Sequence, residues 1–149
     1  MSLTPLKRGT SWTTDDFIKL GKEKVEGTTL AAGSMLVIDD VPASDPIRKV
    51  ASGYIGAYEK QFGTRPATFG ANTYDAGLLL QQAIPVALKA GKPGTEAFRV
   101  ALRDALEQLK DVTGCQGVFN MSATNHNGMD ERARVLVVVR DGKFRLLAE

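Results

Sequence analysis

The sequence predicts an α/β fold with three main helices and a C-terminal β-hairpin, and three observations support this. Apolar residues recur at helical spacing in three long stretches, an uninterrupted Val-Leu-Val-Val-Val runs through residues 135–139, and Asp141-Gly142 supplies a two-residue turn behind it. The remaining extended stretches are short, and no run of β-α-β units completes a parallel sheet. The pattern therefore predicts incomplete layers, with strands missing from the front.

The longest helical pattern runs from Ala71 to Ala90. Ala76, Leu80, Ala83, Ile84 and Ala87 fall on one stripe, which predicts a core helix with one wet side. Pro85 cannot donate to the Gln81 carbonyl, so a bend near Ile84 is expected, with a stop at Gly91 before Pro93. Asp45-Pro46 signals a second helix, Asp45 as N-cap and Pro46 in the first position. Ile47, Val50, Tyr54, Tyr58 and Phe62 (or Gln61) form its face, and Gly63 ends it. The third helix, Thr95 to Leu109, sets Phe98, Ala101, Leu102, Ala105 and Leu109 opposite Arg99, Arg103 and Glu107.

Ahead of these, Thr4 to Arg8 reads as a short strand, and Thr13 or Thr14 caps a helix carrying Phe17, Ile18 and Leu20. Lys22 to Glu26 adds a further turn. Thr28 to Ile38 reads as extended, broken around Gly33-Ser34, with Met35 to Ile38 its stronger part. Val118 to Asn120 is a short strand, and Val135 to Val139, apolar on both faces, calls for cover on each side.

The 149 residues include 19 basic and 17 acidic side chains, scattered instead of clustered, so nucleic-acid and anionic-membrane binding have no compositional support. No apolar run approaches the roughly 20 residues of a membrane-spanning helix. Met1-Ser2-Leu3 reads as an expression leader, and no signal peptide is visible. Cys115 is the single cysteine, which excludes an internal disulfide, and with no basic cluster or neighbouring histidine it reads as a structural thiol.

Catalytic motifs are absent: there is no nucleophile elbow, phosphate loop, dinucleotide fingerprint or zinc-protease motif, and no cofactor or metal is implied. His126 lies in Asn-His-Asn-Gly, where a local hydrogen bond is the simpler reading than a general base. Asn125, Asn127, Gly128 and Asp130 resemble part of a calcium loop, but the acidic first ligand and the bidentate glutamate are missing. Asp39 and Asp40 read as solvated loop carboxylates. Gly9-Thr10-Ser11-Trp12, after a strand, either caps a helix or holds a polar ligand at a strand's carboxyl end; Trp12 either faces that ligand or covers core.

Four stretches carry a resemblance that spans Thr4 to Leu147. They are Phe17-Ile18 through Gly21 to Val25-Glu26-Gly27; Tyr58 through Phe62-Gly63 to Pro66; Asn72-Thr73-Tyr74-Asp75-Ala76 leading to Ala83-Ile84; and Gly114-x-x-Gly117-x-Phe119, followed by Asn125-His126-x-Gly128 and Asp141-Gly142-Lys143. In order and spacing they resemble the carboxy-terminal part of the periplasmic branched-chain amino-acid-binding family, the solute-binding proteins of ABC importers.

The resemblance implies a partial type I periplasmic-binding-protein fold, non-enzymatic, in a parent protein that is periplasmic or extracellular. That parent would clamp a small polar solute between two lobes and present it to a membrane permease. It assigns residues 4–65 to the second lobe, 66–76 to a hinge crossover, 77–130 to the first lobe, and 131–149 to the third crossover and terminal hairpin. Thr10, Ser11 and Trp12 become the ligand-binding residues, and Asn72, Thr73 and Tyr74 the hinge. Ser11 stands where amino-acid binders place an acid for the ligand ammonium, so either another acid serves or the solute is a small aromatic or other carboxylate.

Asp75, by contrast, reads as a first-turn partner of the helix dipole. A ligand-sensing regulatory module of the same fold is the alternative function, and a hydrolase using Ser11 and His126 is a third reading. Loss of cover for the Val135 to Val139 strand predicts that the fragment self-associates or exchanges elements.

Overall fold

The computed structural model describes residue 13 and residues 15–147. In chain order the elements are α1 (Asp15–Gly21), β1 (Thr29–Ala32), α2 (Pro46–Phe62), α3 (Thr68–Ala87), α4 (Glu96–Glu107), β2 (Val112–Thr113), β3 (Val118–Phe119), β4 (Val135–Arg140) and β5 (Lys143–Leu146). Short 3-10 turns at Lys22–Val25, Ser34–Val37 and Glu131–Ala133 link them. β1, β4 and β5 form an antiparallel sheet with β4 in the middle, and β2 and β3 form a separate two-stranded ribbon.

The helices with clear end signals form as the sequence predicts. The Asp45 carboxylate accepts the Ile47 amide at 2.8 Å, Pro46 opens α2, and the helix closes at Gly63 in the left-handed region (φ 70°). The Thr95 hydroxyl accepts the Phe98 amide at 3.2 Å to start α4. α4 buries Ala105, with Phe98, Ala101, Leu102 and Leu109 half-buried on the same side, and packs beside α3.

The hairpin also forms as expected, Asp141 and Gly142 both taking positive φ (53° and 67°) in the two-residue turn. The Glu26 carboxylate fastens that turn by accepting the amides of Asp141 (2.6 Å) and Gly142 (3.3 Å). Asp40, read from sequence as a solvated loop carboxylate, accepts the Leu146 amide at 3.1 Å and pairs with Arg145 at 3.3 Å.

Met35 to Ile38 departs from expectation. An extended strand would send alternate side chains to opposite faces, leaving half of this apolar run uncovered. Folded as a 3-10 turn and its exit, the segment buries Met35, Val37 and Ile38 to 5%, 4% and 2% exposure and serves two cores at once. Val37 joins Ala32 and Val137 beneath the sheet, while Met35 and Ile38 join Ile47, Ala51, Tyr54 and Ile55 of α2, Ala71 of α3, and Cys115 and Val118. The segment is thus the joint between sheet and helices. Cover on the sheet is uneven: on one face of β4 Leu136 is 55% exposed while Val138 is buried, and on the other Val137 and Val139 are both buried.

Removing the α2 cap by Asp45→Ala is expected to lower stability by about 1 kcal/mol, read as a lower denaturant midpoint at unchanged slope.

Candidate functional site

Helix α3 carries the residues that shape the site, and its orientation differs from the predicted stripe. It begins at Thr68, three residues earlier than the periodicity suggests, and buries Ala71, Asp75, Ala83 and Ala87. Leu80 and Ile84, predicted inside, are 38% and 37% exposed, and Ala76 is exposed.

The cause is Asp75, which is 2% exposed. Its two carboxylate oxygens accept the backbone amides of Cys115 (2.6 Å) and Gln116 (2.9 Å), in the loop between β2 and β3. Asp75 is therefore no first-turn dipole partner: it lies at the end of the second turn and anchors that loop. Gly114 permits the approach, since a Cβ there would sit 2.6 Å from the Asp75 carboxyl carbon. Burial raises the Asp75 pKa, outweighing the lowering by the two amide bonds. Cys115 beside it is fully buried, and burial together with the Asp75 charge pushes its thiol up to about 12.

The loop in turn holds the first turns of α3. The Gln116 side-chain amide donates to the Asn72 side-chain oxygen at 2.9 Å and to the Thr68 carbonyl at 3.3 Å. Between these two positions lies Phe69, 62% exposed. A groove of about 260 Å³ opens at this point, lined by Thr13, Leu36, Arg65, Pro66, Thr68 and Phe69. A smaller pocket of about 130 Å³ shares Thr13, Leu36, Thr68 and Phe69 and adds Gly33, Asn72 and Gln116.

Arg65 pairs with Asp39 at 2.8 Å, both side chains largely in water, so the pair is weak and exchangeable. The N-cap residue of α3, Ala67, offers no side-chain acceptor to the first-turn amides.

Of the site residues expected from sequence, Thr10, Ser11 and Trp12 lie outside the described residues. Asn72, Thr73 and Tyr74 fall within the second turn of α3, and Asn72 also lines the smaller pocket. Arg65, Phe69 and Gln116 were missed: Arg65 lies in a segment before α3 with no periodicity to mark it, Phe69 in the helical turn ahead of the expected start at Ala71, and Gln116 in the loop between β2 and β3. The position of Pro66, just ahead of a helix, was the available signal.

His126, exposed, meets Glu107 of α4 at 3.0 Å instead of a group in its own loop. The Asn125 side-chain oxygen accepts the Gly128 amide at 3.0 Å, and no group of three His, Cys, Asp or Glu that could hold a metal ion occurs among the described residues.

No protein-family model matches the chain, and no curated protein matches it. Solved structures do. An extracellular ligand-binding receptor from Rhodopseudomonas palustris HaA2 is 42% identical with a TM-score of 0.84, over 95% of this chain and 42% of that one. A Rhodospirillum rubrum protein provisionally described as a branched-chain amino acid ABC transporter is 32% identical (TM-score 0.60; 90% of this chain, 34% of that one). A leucine-binding protein from Thermotoga maritima is 25% identical (TM-score 0.63; 90% and 33%). The chain thus spans well under half the length of the proteins it matches.

Three outcomes are expected from the Asp75 junction. Asp75→Ala strands the buried amide of Cys115 and the half-buried amide of Gln116, and stability should fall by about 3 kcal/mol in denaturant titration. Because the folded state raises the Asp75 pKa, its protonation favours folding at acid pH, and that contribution is lost as pH rises from about 3.9 through the folded value. The stability margin of the native chain over Asp75→Asn should therefore shrink between acid and neutral pH. Cys115, with its thiol protonated at neutral pH, should resist thiol reagents until the chain unfolds.

Proposed function

Since the chain belongs to the branched-chain amino-acid-binding family of extracellular ligand-binding receptors, we propose that it is part of the solute-binding protein of an ABC importer, and that the groove at the start of α3 is its share of the solute site. The observation that carries the reading is Phe69, a large ring 62% exposed at the wall of a groove beside an arginine. Such a ring gains little from water and much from an apolar solute body laid against it.

The polar complement is at hand. Arg65 can exchange the exposed Asp39 carboxylate for a solute carboxylate at little cost, and the uncapped first-turn amides of α3 favour an anionic oxygen. Thr13 lines the groove, which brings the neighbouring Thr10, Ser11 and Trp12 into the same reading as ligand-binding residues. An amino acid or a small carboxylate suits this set of groups.

In this reading residues 4–65 belong to the second lobe, 66–76 form the hinge crossover, with Asn72, Thr73 and Tyr74 carried in the second turn of α3, 77–130 belong to the first lobe, and 131–149 carry the third crossover and hairpin. Residues 64–67, which lie outside any helix or strand between α2 and α3, supply the backbone freedom that a hinge requires. The intact receptor, outside the cytoplasmic membrane, would deliver its closed form to a permease.

The test is a thermal-shift and calorimetric screen of the full-length receptor against the L-amino acids and a panel of aliphatic and aromatic carboxylates. At least one should raise the melting temperature, and Phe69→Ala should weaken that solute about tenfold or more, roughly 1.4 kcal/mol, without lowering the unliganded melting temperature. A receptor that responds to none of them, or a Phe69→Ala variant with unchanged affinity, would remove the reading.

A further inference from the structure

The groove at the start of α3 does not end at Arg65. Arg65 and Leu36 also line a second groove of about 440 Å³, whose other walls include Lys19 of α1, Asp39, and Lys143 and Phe144 of β5. Its apolar surface is backed from within: Phe144 lies stacked on the buried Phe17, ring centres 6.3 Å apart. The turn ahead of Lys143 is held by Glu26, whose carboxylate accepts the Asp141 and Gly142 amides.

Three cationic side chains, Lys19, Arg65 and Lys143, thus face one carboxylate, that of Asp39. Asp39 is taken by Arg65, and neither lysine has an ion-pair partner among the described residues. Residues 1–12 and 14 include Lys7 and Arg8 and no acid, so that segment brings no negative charge to the groove. Three cations against one carboxylate leave a surplus of two, as large as the formal +2 of the whole chain. A cleft lined by one sign of charge concentrates the opposite ion.

We propose that the two grooves form one site and that its solute is a dicarboxylate. One carboxylate lies at Arg65 and the first-turn amides of α3, beside Phe69, and the other lies between Lys19 and Lys143. This rests on the reading of the α3 groove as the solute site and narrows the class of solute. The charge count selects that class. A dianion balances the surplus, a monocarboxylate leaves one positive charge over, and an amino acid brings a further ammonium among the cations. The carbon body between the two carboxylates crosses Leu36, the apolar side chain that lines both grooves.

Calorimetry on the full-length receptor with the dicarboxylates from succinate to sebacate, each beside the monocarboxylate of equal chain length, reads the second carboxylate by itself. At least one dicarboxylate should bind about tenfold or more tighter than its partner, and added salt should narrow the gap. Lys19→Met combined with Lys143→Met keeps the apolar stems and should remove most of the gap, at an unchanged unliganded melting temperature. Lys89→Met, beyond the far end of α3, should leave the gap as it is. Equal affinities within every pair, or an amino acid bound tighter than every dicarboxylate, overturn the proposal; the α3 groove still stands as the solute site where Phe69→Ala weakens binding. A gap that survives the double lysine variant, or that Lys89→Met closes as far, overturns it too. A dicarboxylate preference that the lysine variant removes and Phe69→Ala leaves untouched overturns both the joint site and the reading on which it rests, as does a receptor that binds none of these acids.

Discussion

The helical half of the molecule depends on one buried carboxylate. α3 is 20 residues long, yet the apolar side chains it buries are the methyl groups of Ala71, Ala83 and Ala87. Three methyl groups bury little area and fit many rotations of a helix about its axis. Asp75 removes that freedom, because its oxygens must reach two particular amides, at Cys115 and Gln116, with a glycine at 114 to let them in. Hydrogen bonds to a carboxylate contribute about 1.5–3 kcal/mol each, more than an alanine contact, and unlike such contacts they have direction.

The groove inherits its geometry from that junction. With the Gln116 amide fixed by Asp75, the Gln116 side chain reaches back to Thr68 and Asn72 and thereby fixes the turn that displays Phe69. Across the groove, Leu36 belongs to the 3-10 turn whose neighbours Met35 and Val37 are held in separate cores. The 3-10 turn that joins sheet to helices therefore supplies one wall, and the start of α3 with the segment before it supplies the other.

What the sequence made legible follows from the range of the interactions involved. α2, α4 and the β4–β5 hairpin were readable because their signals are local: Asp45-Pro46 and Gly63, Thr95, and Asp141-Gly142 act within a few residues of the structure they specify. Met35 to Ile38 was misread because its alternation does not reveal that two cores compete for it. The α3 stripe was misplaced for a related reason. Periodicity places an aspartate on the wet side, and the amides that draw Asp75 inside come from residues about 40 positions away. Arg65 and Phe69 lie in or just beyond a segment without a period, and Thr10, Ser11 and Trp12 lie outside the described residues. The family resemblance was legible because it rests on several short motifs in order, which survive errors in any one element.

The misplaced stripe also explains the surface of α3. Ala76, Leu80, Ile84 and Leu88 follow one another at steps of four on the side away from Asp75, and all four are exposed. The helix is thus apolar on two sides, the composition of a helix packed between layers and not of one lying at a surface. One side is held by Asp75 and the alanines that accompany it, and the other is left partly exposed. The sheet differs: β4 buries Val137 and Val139 on one face and Val138 on the other, and leaves Leu136 exposed. The helix keeps its second apolar side in a chain that spans under half the length of the proteins it matches. Asp75 locks α3 using only groups within the chain, so the orientation of the groove wall does not depend on what lies against the exposed side.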